Sequence, residues 1–144
     1  MRIFSFILIL ALLSGCEHPA GKSPDFGGQH PTTLATRIAV ADSIVVTSYF
    51  ALLDKEHRDM RFVITGATVR KIVRAVSDAR RLPVQVDNIP SWTLEFYRGT
   101  NSLDSICFEG RIFNYYRGET YEQYSDGSKV LENLDAELTE RVKK

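Results

Sequence analysis

Between residues 92 and 124, apolar and polar side chains alternate in runs that stop at Arg98-Gly99, Glu109-Gly110 and Arg117-Gly118. No other feature constrains the fold of this chain as much. Alternation at a period of two marks a strand with one face buried. A glycine at each stop supplies the positive φ that a tight reversal needs. Trp92, Leu94 and Phe96 share one side of the first run, and Ile106 and Phe108 share one side of the next. Residues 112–116 and 121–124 supply two further short runs. Strands joined this closely run antiparallel, as a meander.

Upstream, residues 44–50 are dense in β-branched and aromatic side chains, and 60–65 alternate. Both read as strands, joined through the charged cluster 54–59 into a second antiparallel pair. A helix is expected next, because Val69, Ile72, Val73 and Val76 fall at i, i+3, i+4 and i+7 on one face. Thr65 or Thr68 is its expected N-cap, and Arg80 and Arg81 suit the negative end of its dipole. Pro83 and Pro90 bound a loop over 82–91, with one short extended piece at Val84-Gln85-Val86. A terminal helix carries the stripe Val130, Leu131, Leu134, Leu138 and Val142, with Asp126 and Ser128 as candidate caps and Arg141, Lys143 and Lys144 at its end. The expected fold is α+β: a mostly antiparallel sheet of five or six strands with two amphipathic helices on one face.

The first sixteen residues are of another kind. Arg2 precedes an apolar run interrupted by Ser5, and small residues then lead to Cys16. This is the layout of a secretory signal peptide, too short in its apolar part to span a bilayer comfortably. Leu13-Ser14-Gly15-Cys16 resembles the lipobox of bacterial lipoprotein precursors. The resemblance implies that Cys16 carries lipid on its sulfur and that the chain is cut before it. It also implies a domain held outside the cytoplasm at the cell membrane or the outer membrane. In enteric bacteria an aspartate after the cysteine would imply inner-membrane retention; Glu17 stands there instead, which favours the outer membrane. The folded part is similar in general layout to other small lipoprotein domains, a likeness that implies no activity.

Pro19, Gly21, Pro24, Gly27, Gly28 and Pro31 punctuate the stretch after Cys16, where Phe26 is nearly the sole large apolar residue. Such a composition buries too little to offset its ordering entropy. The expected organisation is a signal peptide over 1–15, a lipid-anchored tether over 16–35 and one domain over 36–144.

Lys plus Arg and Asp plus Glu each total 18, and removing Arg2 with the signal leaves a slight acidic excess. That balance argues against a nucleic-acid partner, whose phosphate contacts need a basic excess, and none is expected. No polybasic run follows Cys16, so the lipid is the expected membrane attachment. There are two cysteines, and a lipidated Cys16 leaves Cys107 with no disulfide partner in the chain. The core is expected to hold by packing alone.

Chemistry-bearing sets are sparse. His18 and His30 lie in the tether and His57 in a charged turn, so no metal site and no cofactor are expected. No nucleophile elbow, Ser-x-x-Lys or catalytic-cysteine signature occurs, and no enzyme is expected. Cys107 with His57, and Glu95 with Glu109, are the nearest approaches to a catalytic pair. For Cys107 a packed strand side chain is the favoured reading. Gly27-Gly28 and Gly66 lack the partners of a phosphate loop. Arg70, Lys71, Arg74, Arg80 and Arg81 make the first helix basic, whereas Glu132, Asp135, Glu137 and Glu140 make the terminal helix acidic. A solvated surface is the expected role of both.

One tripeptide occurs twice, Tyr97-Arg98-Gly99 and Tyr116-Arg117-Gly118, each where a strand meets a turn. Structurally this is one device used twice. Functionally, Tyr97, Arg98, Tyr115, Tyr116, Arg117, Tyr121 and Tyr124 form a candidate aromatic and arginine binding surface, because Tyr and Arg anchor interfaces and aromatic faces suit sugar rings. Two roles follow: a non-catalytic binding module for an envelope protein or cell-wall component, or an inhibitor or immunity-type protein that blocks a hydrolase through the loop 82–91.

Overall fold

The computed structural model describes residues 29–49 and 60–143. Its elements run α1 (Thr32–Ile38), β1 (Ser43–Ser48), β2 (Arg61–Thr65), α2 (Ala67–Ser77), β3 (Arg80–Arg81), β4 (Trp92–Arg98), β5 (Asn101–Glu109), β6 (Ile112–Arg117), β7 (Thr120–Ser125) and α3 (Val130–Val142). Among the described residues the sheet has seven strands in the order β2-β1-β4-β5-β6-β7-β3. Every pairing in it is antiparallel. The α+β class holds. The sheet is wider than expected by the two-residue strand β3, and the helices number three among the described residues.

The alternation in the sequence decides which side of the sheet is buried. Ile44, Val46, Leu94, Phe96, Ile106, Phe108 and Phe113 are fully buried on one side, together with Leu34 and Ile38 of α1, Val69, Ile72 and Val76 of α2, and Leu131 and Leu138 of α3. Each large side chain buried this way contributes roughly 1.5–3 kcal/mol. On the other side Thr47, Thr93, Glu95, Ser105 and Tyr116 keep contact with solvent. The three helices therefore cover one face, the helix side, and the opposite face is the open side.

Several local readings need correction. Arg80 and Arg81 do not close the helix dipole. The helix ends at Ser77, and the two arginines pair with Ser125 and Tyr124 as β3. The N-cap of α2 is neither Thr65 nor Thr68 but Gly66, at φ 70° and with no side-chain cap bond. Residues 84–86 form no strand. The folded residues begin before 36. Leu34 is fully buried, the Arg81 amide donates to the Gln29 carbonyl at 2.9 Å, and His30 Nδ1 lies 3.2 Å from the Ala79 carbonyl.

Other readings hold. Gly99, Gly110 and Gly118 all have positive φ at the three expected reversals. Asp126 does cap the terminal helix, from three residues before its left-handed N-cap Lys129. Its carboxylate accepts from the amides of Ser128 and Leu131 at 2.7 and 3.0 Å.

Candidate functional site

The ribbon of β6 and β7 carries most of the expected binding surface, and its pleat divides that surface in two. Successive strand residues point to opposite sides. Tyr115 is opposite Glu122 and Phe113 opposite Tyr124, and all four belong to the helix side. Tyr116 is opposite Tyr121 and Asn114 opposite Gln123, on the open side. The seven candidate residues thus do not form one surface.

On the helix side, Tyr115 and Tyr124 are buried and face a polar cavity of about 200 Å³, which His30, Arg81, Arg117 and Glu122 also line. The Tyr124 hydroxyl donates to Glu122 Oε2 at 2.7 Å, while Arg81 reaches Glu122 Oε1 at 3.3 Å. Nearby, the Tyr115 hydroxyl donates to Asp104 Oδ2 at 3.1 Å, and Arg37 meets the same oxygen at 3.3 Å. The Tyr124 ring also stacks on Phe113, with centroids 5.3 Å apart. Burial, then the Glu122 carboxylate, pushes the Tyr124 phenol well above its ordinary value. Burial, then Asp104, raises the Tyr115 phenol as well. Both phenols therefore keep their protons and act as donors, a poor arrangement for a base or nucleophile. The cavity is built to hold side chains in place.

On the open side, the rings of Tyr116 and Tyr121 lie 5.3 Å apart at 41°, and Tyr116 is 42% exposed. Tyr97 also belongs to this side and donates its hydroxyl to Glu95 at 2.7 Å, while Arg98 is exposed where its strand meets the turn. Beside the tyrosine pair, buried Gln123 holds the loop 82–91 like a peg. Its Oε1 accepts from the Val86 amide at 2.7 Å. Its Nε2 donates to the Val86 carbonyl, to Asn88 Oδ1 and to Asn114 Oδ1, at 3.0, 2.9 and 3.1 Å. With its backbone bonded to a buried amide, the loop holds Val84 72% and Ile89 65% exposed.

Cys107 occupies the middle of the same face, half-buried, with Sγ 3.6 Å from Thr93 Oγ1. Burial pushes its thiol up, against thiolate formation. His57, its suggested partner, lies outside the described residues. Glu95 and Glu109 do not meet. Glu95 is opposite Ser105, and the four residues of β5 from there to Glu109 span roughly 13 Å. The acidic and basic helices are neighbours, but the α3 ion pairs Arg141–Glu137 and Lys143–Glu140 lie within that helix. Among the described residues no group of three His, Cys, Asp or Glu side chains is placed to hold a metal ion, and no helix is long and apolar enough to cross a membrane. Cys16, the signal segment and His18 lie outside the described residues.

Three side chains that organise these two sides were not singled out as site residues: Gln123, Glu122 and Asp104. For two of them a signal existed. Asp104 shares the strand parity of Ile106 and Phe108, and Glu122 that of Tyr124, so each carboxylate falls on a core-facing register and needs a partner there. No family model matches the sequence, and no curated protein or solved structure matches it either.

Proposed function

We propose that this protein is a non-catalytic binding module of the bacterial cell envelope, anchored by lipid on Cys16 and held outside the cytoplasm. It engages an envelope protein or a cell-wall component through the open side of its sheet. The observation that carries this reading is the loop 82–91, pegged by Gln123 and by a Gln85 bond to the Tyr121 carbonyl, with Val84 and Ile89 exposed on it. Exposed apolar side chains grouped with tyrosines are the make-up of an interface centre. A backbone held in place beforehand loses less entropy on binding. The anchor rests on the lipobox-like Leu13-Ser14-Gly15-Cys16.

The same peg favours a second reading, an inhibitor or immunity-type protein presenting 82–91 to a hydrolase, since a loop that blocks an enzyme must keep its shape. Cross-linking in cells followed by affinity capture separates the two. A stoichiometric hydrolase favours the inhibitor, whereas cell-wall fragments or an assembly component favour the module. Ile89→Asp with Tyr116→Ala should abolish capture in either case, and undiminished capture overturns the assignment of this surface. Fatty-acid labelling tests the anchor: it should vanish in Cys16→Ser, and its persistence there refutes that attachment.

A further inference from the structure

No polybasic run follows Cys16, but α2 carries three basic side chains close together. Arg70, Lys71 and Arg74 lie on adjacent turns of α2 and line a surface groove of about 370 Å³ between α2 and the start of α3. Asp78 is the sole acid among the lining residues, and Ala75 and Val130 contribute to an apolar floor. All three cations are exposed, and none has an ion pair or hydrogen-bonding partner for its side chain among the described residues. This contrasts with Arg37, Arg81, Arg141 and Lys143, each of which meets a carboxylate.

Two further observations say what covers this face. The described chain enters at Gln29, and His30 sits 3.2 Å from the carbonyl of Ala79, two residues beyond the end of α2. The basic helix is thus tied to the place where the anchor segment arrives. The stretch from Cys16 to Gln29 reaches at most about 45 Å, so an anchored domain stays near the bilayer. A lipid anchor holds firmly when a second signal joins it, and a cluster of basic side chains against anionic headgroups is one such signal.

We infer that the Arg70–Lys71–Arg74 face of α2 docks on an anionic phospholipid surface. The inference rests on the lipid-anchor reading for its geometry, but its charge chemistry is testable without the lipid. Docking through the helix layer turns the open side, with Tyr116 and the loop 82–91, away from the membrane and toward a partner.

The test uses the mature chain from position 16 carrying Cys16→Ser, so that neither lipid nor the apolar leader contributes, and vesicles of phosphatidylglycerol mixed with phosphatidylcholine against vesicles of phosphatidylcholine alone. Co-sedimentation should favour the anionic vesicles, and the preference should fall as salt rises. Replacing Arg70, Lys71 and Arg74 together by Gln should reduce the partition onto anionic vesicles by about a hundredfold, at roughly a factor of five per charge. It should leave binding to neutral vesicles and the thermal melt unchanged, because the three side chains are exposed. Arg74→Lys, which keeps the charge, should bind like the parent. An anionic preference that survives the triple substitution overturns the inference, and so does equal binding to both vesicles. Either failure leaves fatty-acid labelling of Cys16 untouched. Binding to soluble poly-glutamate without any vesicle preference would assign the face to an acidic protein instead, and would also overturn it.

Discussion

Asp135 Oδ1 accepts a 2.8 Å hydrogen bond from the indole Nε1 of Trp92, fastening α3 to the first strand of the meander. Its other oxygen accepts the amide of Gly110 at 2.8 Å, so one carboxylate also holds the reversal between β5 and β6. Trp92 is 5% exposed, so its indole N–H depends on this partner. Asp135→Ala should cost about 2–4 kcal/mol, as two hydrogen bonds to a charged acceptor are lost and two donors are stranded. Asp135→Asn, which keeps an acceptor for one of the two, should cost less. Urea unfolding followed by Trp92 fluorescence measures both variants, and equal stability of parent and Ala variant would refute this role.

The start of the folded domain is tested at Leu34. It is fully buried against the core, although it lies before residue 36. Leu34→Ala should destabilise the domain by roughly 2–5 kcal/mol. A fragment that begins at 29 should melt cooperatively and at a clearly higher temperature than one that begins at 39. Leu134→Asp should be worse still, because it buries an unpaired charge in the stripe of α3. Calorimetry on the four proteins decides the boundary.

Cys107 should react slowly. Its thiol is half-buried and favours the protonated form, so Ellman's reagent at neutral pH should modify the folded protein at least about tenfold more slowly than the urea-unfolded chain. Cys107→Ala should cost about 1 kcal/mol and leave partner capture intact. Rapid modification of the native protein would contradict the burial of this thiol.

Alkaline pH should weaken the fold through Tyr124 and Tyr115. Both phenols are held above the ordinary value of 10.0 in the folded state. The unfolded chain therefore releases these protons first, and stability present below that value falls as the pH rises past it. Urea midpoints measured from about pH 9 to pH 11.5 should decline. Tyr124→Phe should flatten the decline while lowering stability at neutral pH, because Glu122 loses its donor. A steeper decline in Tyr124→Phe would contradict the sign of the effect.

The meander was legible because each of its strands repeats the rule that period two obeys, and each reversal has its glycine. The helix stripes were equally open to reading, since Val69, Ile72 and Val76, or Leu131, Leu134 and Leu138, need only helical spacing. What escaped had too little local pattern. With seven residues, α1 shows just Leu34 and Ile38 as an apolar repeat, after a stretch whose composition argues for a tether. Arg80 and Arg81 satisfy a helix end as well as a strand, and their partners Tyr124 and Ser125 lie far along the chain. The division of the tyrosines was available in principle: Tyr115 and Tyr116 are consecutive in one strand, so no single face can present both. Where Gln123 finds its partners depends on the path of 82–91 over the sheet, a long-range fact that composition does not encode.

That path has a consequence for the order in which the molecule comes together. Arg80 and Arg81 pair with residues more than forty positions later, while the next strand in sequence, β4, joins the opposite half of the sheet beside β1. A chain emerging from its amino end can close β1, β2 and β4 early, but β3 has no neighbour until β7 is made. Closing so long a segment costs entropy before any contact returns it. Gln123 arrives with the same strand, so the loop it pegs is among the last parts to take shape. The surface assigned to the partner is thus finished only when nearly the whole chain is present, and a product truncated before β7 would display no ordered loop.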